Sequence, residues 1–325
     1  MESNQNSFAD RITSLMQNRS AADQVTNEQV VGSKQNTDVK KCFDSESENR
    51  IINRNSNLWQ STEAAKSFVD HCDKKEKFAI RVNDIVLNHH YENNSVVGGS
   101  VLDIGCGHGE VSLYMASKGF KVTACDISPY MIEELDRLKG NLEIETAVGS
   151  GYEIPFPDNS FDTVLSRHFF PMFPDWPKIV SEMSRVCKPG GRVLLNISSR
   201  TNRRAGETMG GKDCEWHTSP HIADKDKHFH ADTSVEEIKS FCPDWGLNYL
   251  RAIPLQFFHE NRLIGHALGT NAYNQYYAEI SERAKDPKVL DFILWFEQEV
   301  VASLPPIMTY CMLFVTEKEK DRPTT

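Results

Sequence analysis

Residues 103–109 read Asp-Ile-Gly-Cys-Gly-His-Gly, and a second carboxylate, Asp126, closes the next apolar run. Alternate glycines permit a tight turn and let a ligand approach backbone that any Cβ would shield. Two ligands suit such a loop. A dinucleotide wants G-x-G-x-x-G, its third glycine letting a helix N-terminus face a pyrophosphate. Here the third glycine comes one place early, at Gly109, and Glu110 stands at the required position. A carboxylate there repels pyrophosphate. A sulfonium ligand with a free amino-acid end has the opposite preference, because its ammonium and positive sulfur favour a nearby carboxylate such as Asp103. Asp126 is placed to accept both hydroxyls of a ribose, which serves either ligand.

Further chemistry is carried by imidazoles. Arg167 and His168 follow the apolar run 161–166, where a histidine is a candidate base or acceptor-orienting group. Four of the eleven histidines, His217, His221, His228 and His230, crowd with Cys214 into one polar stretch. Three readings are open for it: a zinc cluster, a lid in which His217 orients or deprotonates the acceptor, or an ordinary loop. The spacing matches no common zinc module, so no metal is expected.

The elements that must position these groups alternate in period. Strands are expected at 100–104, 121–126, 142–148, 161–166, 192–196, 247–258 and 308–316, and helices at 110–118, from Ser128-Pro129, and at 176–187 and 235–241. Ser as N-cap with Pro in the first turn marks the second helix start. Strand–helix alternation implies a parallel sheet with crossovers on both faces. Apolar spacing from Trp59 predicts a long amphipathic helix over 59–89, and two helices, 261–285 and 289–303, precede the last strand. Their aromatic residues Tyr273, Tyr276, Tyr277, Trp295 and Phe296 suit either core packing or a cap over an apolar acceptor.

Composition narrows the class. Over 325 residues, 46 acidic against 36 basic side chains leave a net charge of −10. Neutralising phosphates needs a surplus of Lys and Arg, so nucleic acid is not an expected partner. No apolar run approaches the roughly 18 residues of a spanning helix, and the first residues show no signal-peptide pattern. The eight cysteines form no C-x-x-C pair, which suits reduced thiols and a cytoplasmic protein. Four regions are expected: a polar, poorly ordered tail (1–57), an N-terminal helical lid (58–98), a ligand-binding core (99–197), and a sheet-completing region with the His-rich loop and helical acceptor cap (198–325).

Three segments, VLDIGCGHGEVSLYMASKGFKVTACDISPYMIEEL, GSGYEIPFPDNSFDTVLSRH and EMSRVCKPGGRVLL, resemble successive motifs of the class I S-adenosylmethionine-dependent methyltransferases, in the small-molecule branch typified by ubiquinone and menaquinone biosynthesis. The resemblance covers about a third of the chain. It implies an α/β, Rossmann-like, doubly wound, mostly parallel seven-stranded sheet with an N-terminal helical extension and a helical insert before the last strand. It implies S-adenosylmethionine as cofactor and a small organic acceptor. Gly105, Cys106 and Gly107 would line the methionine and ribose portion, Asp103 would act on the amino group, and Asp126 would hold the ribose. Ile127 and Met131 would pack on adenine, with Ser150, Gly151 and Tyr152 alongside; Ser150 replaces the family's usual Asp. Ser166 would offer its carbonyl to the ammonium, and Arg167, His168 and His217 are the catalytic candidates. A non-catalytic S-adenosylmethionine-binding regulator, or a nicotinamide-dependent reductase, are the alternatives.

Overall fold

A computed structural model of the chain describes residues 60–66, 77–170, 173, 175–202, 232–258, 261, 264, 268 and 270–320. The His-rich stretch, with His217 and Cys214, and the 1–57 tail lie outside the described residues.

The strands are β1 (Ser100–Ile104), β2 (Lys121–Asp126), β3 (Ile144–Val148), β4 (Phe161–Ser166), β5 (Cys187–Ser199), the two-residue β6 (Asp232–Thr233), β7 (Leu247–Leu255) and β8 (Cys311–Lys318). Seven of them form one sheet in the order β3-β2-β1-β4-β5-β8-β7, and β6 pairs with the end of β5. Neighbours from β3 to β5 are parallel, and β8 runs antiparallel between β5 and β7. This is the doubly wound sheet the sequence predicts. β1 reads Ser-Val-Leu-Asp-Ile, with Val101, Leu102 and Ile104 buried rather than alternating with exposed polar residues, because helices cover both of its faces.

The helices are α1 (Lys77–Asn94), α2 (Glu110–Ser117), α3 (Pro129–Leu138), α4 (Trp176–Val186), α5 (Val235–Phe241), α6 (Thr270–Arg283) and α7 (Pro287–Trp295). One face of the sheet packs against Val82, Val86, Leu87 and Tyr91 of α1, Met115 of α2, Leu135 of α3 and Ile293 of α7. The other packs against Ile179, Val180 and Met183 of α4, Ile238 of α5, and Trp245. Fully burying an aliphatic or aromatic side chain contributes about 1.5–3 kcal/mol, so these two layers dominate stability. Ser128 caps α3, its hydroxyl accepting from the Met131 N–H, with Pro129 in the first turn.

Several boundaries differ from expectation: α1 runs on to Asn94, past the expected 89, β3 starts at Ile144 rather than 142, and α6 is Thr270–Arg283 rather than 261–285; residues 67–76 of the expected 59–89 helix lie outside the described residues. β5 begins at Cys187, taking in Lys188-Pro189-Gly190-Gly191, because a register irregularity between Phe161 and Thr163 absorbs the turn residues. β7 stops at Leu255, since Gln256 has φ +66° and leaves the extended region. β8 starts at Cys311 after a 3₁₀ turn at Pro306–Met308. The expected 289–303 helix is α7 followed by a π turn (Phe296–Val300) and a 3₁₀ turn (Val301–Ser303).

The register aligns the carboxyl ends of the central strands: Ile104 pairs with Cys125, Asp103 with Leu165, and Ser166 with Leu195. Strand order reverses between β1 and β4, and ligands of open α/β sheets bind in the crevice at such a point.

Candidate active site

Gly105 and Gly107 open the crevice, with φ of +68° and +55°. A Cβ on Gly105 would sit 2.4 Å from Cδ2 of Phe169, whereas one on Gly107 would meet nothing within 4 Å. The first glycine therefore admits a ring from the β4 loop, and the second leaves an open cradle. Behind them Asp103 is 1% exposed. Its Oδ2 accepts from the Ser112 hydroxyl at 2.7 Å, and its Oδ1 is buried with no partner. Burial raises its pKa to about 6, against the pull of Ser112 and Arg167. A buried carboxylate oxygen left unpaired is costly. A ligand ammonium is the group that would satisfy it, so the donor set fits the amino-acid end of S-adenosylmethionine.

Asp126 ends β2 with both oxygens engaged: Oδ2 accepts from Gly107 N–H and Oδ1 from Ser128 N–H, each at 2.9 Å. Each carboxylate oxygen retains a lone pair, so the group is oriented and still able to accept from two hydroxyls. Burial raises its pKa, opposed by those backbone N–H groups. Ile127 is half-buried, and Met131 lies buried in the first turn of α3. Burial together with Asp103 and Asp126 pushes the Cys106 thiol up, which leaves it a packing group of the loop rather than a nucleophile.

On the opposite wall, Ser150 bridges to Glu153, and its hydroxyl accepts from Tyr152 N–H at 3.2 Å. The Tyr152 hydroxyl donates to Asp175, so a carboxylate does enter this region, but from the start of α4. Gly151 is packed against the same Phe169 ring as Gly105, at 2.9 Å from an added Cβ.

Beyond β4, the Ser166 carbonyl accepts the Tyr91 hydroxyl at 2.7 Å. One of its lone pairs is thus spent on α1, and its second remains for a ligand. Arg167 pairs with Asp84 of α1 and with Glu110 at the start of α2. It is a tie between the N-terminal helix and the glycine loop. Glu110 is consequently neutralised, and its repulsion of a pyrophosphate is weaker than the bare sequence implies. His168 holds φ +49°; its N–H donates to Asn196 Oδ1 at 3.3 Å, and its Nε2 lies 3.5 Å from Gln256 Nε2. Asn83, Val86, Leu87, Asn196, Leu255 and Gln256 line a small pocket on this side.

Residues 102–195 match the family described as "Methyltransferase domain". The matched stretch runs from Leu102 of β1 to Leu195 of β5. The chain is 30% identical over 132 residues to the "Ubiquinone biosynthesis O-methyltransferase" of Xanthomonas oryzae pv. oryzae (strain PXO99A), covering 40% of this chain and 55% of that one. It is 40% identical over 110 residues to the "2-methyl-6-phytyl-1,4-hydroquinone methyltransferase" of Synechocystis sp. (33% and 35%). It is 30% identical over 163 residues to the "Tocopherol O-methyltransferase, chloroplastic" of Arabidopsis thaliana (46% and 46%). The chain thus spans about half the length, or less, of these curated relatives. Among solved structures, a chain of the "Complex between the Haloferax volcanii Trm112 methyltransferase activator and the putative methyltransferase" shares the fold, with TM-score 0.51, 17% identity, and coverage of 79% of this chain and 96% of that one.

The matched stretch holds the whole glycine loop and Asp126, while Asp84, Tyr91 and Gln256 on the β4 side lie outside it. Tyr91, Asp84, Gln256 and Glu297 are the residues that sequence reading missed. Phe169, against two glycines, has no sequence signal beyond its place after β4. Among the described residues, no cluster of three or more His, Cys, Asp or Glu is arranged to hold a metal ion.

Proposed function

We propose that this chain transfers a methyl group from S-adenosylmethionine to a small organic acceptor. The observation that carries this reading is the unpartnered, buried Asp103 Oδ1 behind an open glycine cradle, one strand away from the doubly anchored Asp126. When bound, S-adenosylmethionine supplies a methyl group already activated on a sulfonium. Asp103 would hold the ligand's ammonium and Asp126 its ribose hydroxyls; Gly105, Cys106 and Gly107 would line the bend between them. Ile127 and Met131 would flank adenine together with Ser150, Gly151 and Tyr152.

The chain's remaining task is alignment. Holding acceptor and donor in register accounts for about 7–11 kcal/mol of barrier in favourable intramolecular reactions. α1 would wall the acceptor side through Val86 and Leu87, and His168, with φ +49° at the mouth, would orient the acceptor or take its proton. Arg167 would act by tying α1 to the loop rather than by touching the acceptor. The net charge of −10 supports a small molecule over nucleic acid. The free thiols at Cys106, Cys125, Cys187, Cys242 and Cys311 support a reducing compartment such as the cytoplasm. No described helix is long and apolar enough to cross a membrane.

Calorimetry of the purified chain with S-adenosylhomocysteine tests the reading. Saturable binding is expected; no heat at millimolar ligand would end it.

A further inference from the structure

We propose that Glu297 is a positioning residue for the acceptor site: its buried carboxylate fixes the turn at 256–258, and through it the Gln256 amide that orients the imidazole of His168. The inference rests on the methyl-transfer reading above for the word acceptor, and on geometry for everything else.

Glu297 is 2% exposed, and it lies in the π turn that follows α7. π turns are rare and cluster at functional sites. Its Oε1 accepts from the backbone N–H groups of Phe257 and Phe258, both at 3.0 Å, and its Oε2 is buried with no partner. A carboxylate that accepts from successive N–H groups fixes the backbone that carries them. What that backbone carries is Gln256, at φ +66°. Among the described residues three non-glycine residues have positive φ: Asn159, His168 and Gln256. Asn and His are enriched in this region and Gln is not. The His168 and Gln256 side chains approach to 3.5 Å, and a glutamine held in that conformation persists only where surrounding structure over-determines it.

The surrounding structure is identifiable on both sides. Asn196 takes the His168 N–H and donates to the Met312 carbonyl at 3.3 Å, pinning His168 to β5 and β8. Glu297 does the equivalent for Gln256 through the turn that follows β7. Phe257, Phe258 and Phe296, which flank the anchor in sequence, pack on one another with ring centroids 5.3–5.6 Å apart, and Glu297 is buried. Gln256 Oε1 is also buried without a partner. Each of these two oxygens, Glu297 Oε2 and Gln256 Oε1, is left with capacity to accept a further hydrogen bond.

The experiment reads His168 directly. In protein labelled with 13C-histidine, the His168 ring cross-peak is identified by its loss in His168→Asn. Gln256→Ala should displace that cross-peak, Glu297→Ala should displace it in the same direction, and Glu297→Gln, which keeps an acceptor for the turn, should return it to the wild-type position. Glu297→Asp, which withdraws the carboxylate by one methylene, serves if Glu297→Ala does not fold. A cross-peak unmoved by Glu297→Ala or Glu297→Asp, or one unmoved by Gln256→Ala, overturns the proposal. S-adenosylhomocysteine binding is measured on the same samples. Its absence in the wild type would sink the methyl-transfer reading while leaving the His168 result readable.

Discussion

The two halves of the crevice are built differently. On the β1–β2 side the two carboxylates are held by contacts short in sequence: Ser112 reaches Asp103 nine residues away, and Gly107 reaches Asp126 nineteen away. On the β4–β7 side His168 meets Asn196 across 28 residues and Gln256 across 88, and Glu297 holds Phe257 across 40. The first half is mostly backbone and carboxylate, and tolerates little change. The second is side chains brought together by the sheet order, each replaceable on its own. A ligand common to a family needs the first arrangement, and an acceptor particular to one chain needs the second.

The sharpest way to break this contrast is Asp126→Ala. The substitution removes two ribose acceptors and strands the Gly107 and Ser128 N–H groups, and hydrogen bonds to charged groups are worth about 1.5–3 kcal/mol each. S-adenosylhomocysteine affinity should fall by about a hundredfold or more in calorimetry. A loss under about tenfold would mean that the loop, not the carboxylate, carries the ribose.

Next in size is Asp103, where pH enters. Its pKa is raised from 3.8 to about 6 by burial, so the folded chain binds this proton more tightly than the unfolded one. The stability it contributes is complete below about pH 4 and is lost as pH rises through 6, on the order of 3 kcal/mol in all. Above that, the ionised carboxylate is uncompensated until an ammonium meets it. S-adenosylhomocysteine should therefore bind more weakly below pH 6, by up to about tenfold per pH unit, and reach a plateau above. Asp103→Asn should lose about tenfold or more in affinity at pH 7 and, with it, the pH dependence. Calorimetry across this range decides it: an unchanged slope in Asp103→Asn would move the proton to another group.

Those two residues were legible in the sequence because their roles follow from local pattern. An apolar run, a carboxylate and three glycines state a strand, its end and a turn without reference to anything distant. The sheet was legible for the same reason, down to the Ser128 cap. Asp84, Tyr91, Gln256 and Glu297 were not, because nothing near them says which strand end they approach. Helical periodicity over 289–303 predicts one helix; the contact of the Glu297 carboxylate with Phe257 and Phe258, just past the end of β7, accompanies the π turn that ends α7. Arg167 was found by position, but its ties to Asp84 and Glu110 were not.

Arg167→Met probes a charged link between the halves. It removes the cation between Asp84 and Glu110, whose side chains are 21% and 32% exposed. The cost should fall between the ~0–1 kcal/mol of an exposed pair and the ~3–5 kcal/mol of a broken buried one. Thermal denaturation should show a loss of a few degrees, and calorimetry a change in S-adenosylhomocysteine affinity of only about severalfold. An affinity loss as large as that of Asp126→Ala would make Arg167 part of the cofactor half instead.

The smallest effect should have the opposite sign. His168 sits at φ +49°, a conformation that costs a non-glycine residue roughly 1–2 kcal/mol. Glycine adopts it freely but gives back about 0.4–1 kcal/mol through the unfolded chain. His168→Gly should accordingly raise the melting temperature by a degree or two, leave S-adenosylhomocysteine affinity within about twofold of wild type, and abolish any acceptor turnover that depends on the imidazole. Strain relieved without loss of cofactor binding is what a side chain held for the acceptor alone would show. A lower melting temperature would instead make His168 a packing residue of the β4 loop, and the strain at this position would have no functional meaning.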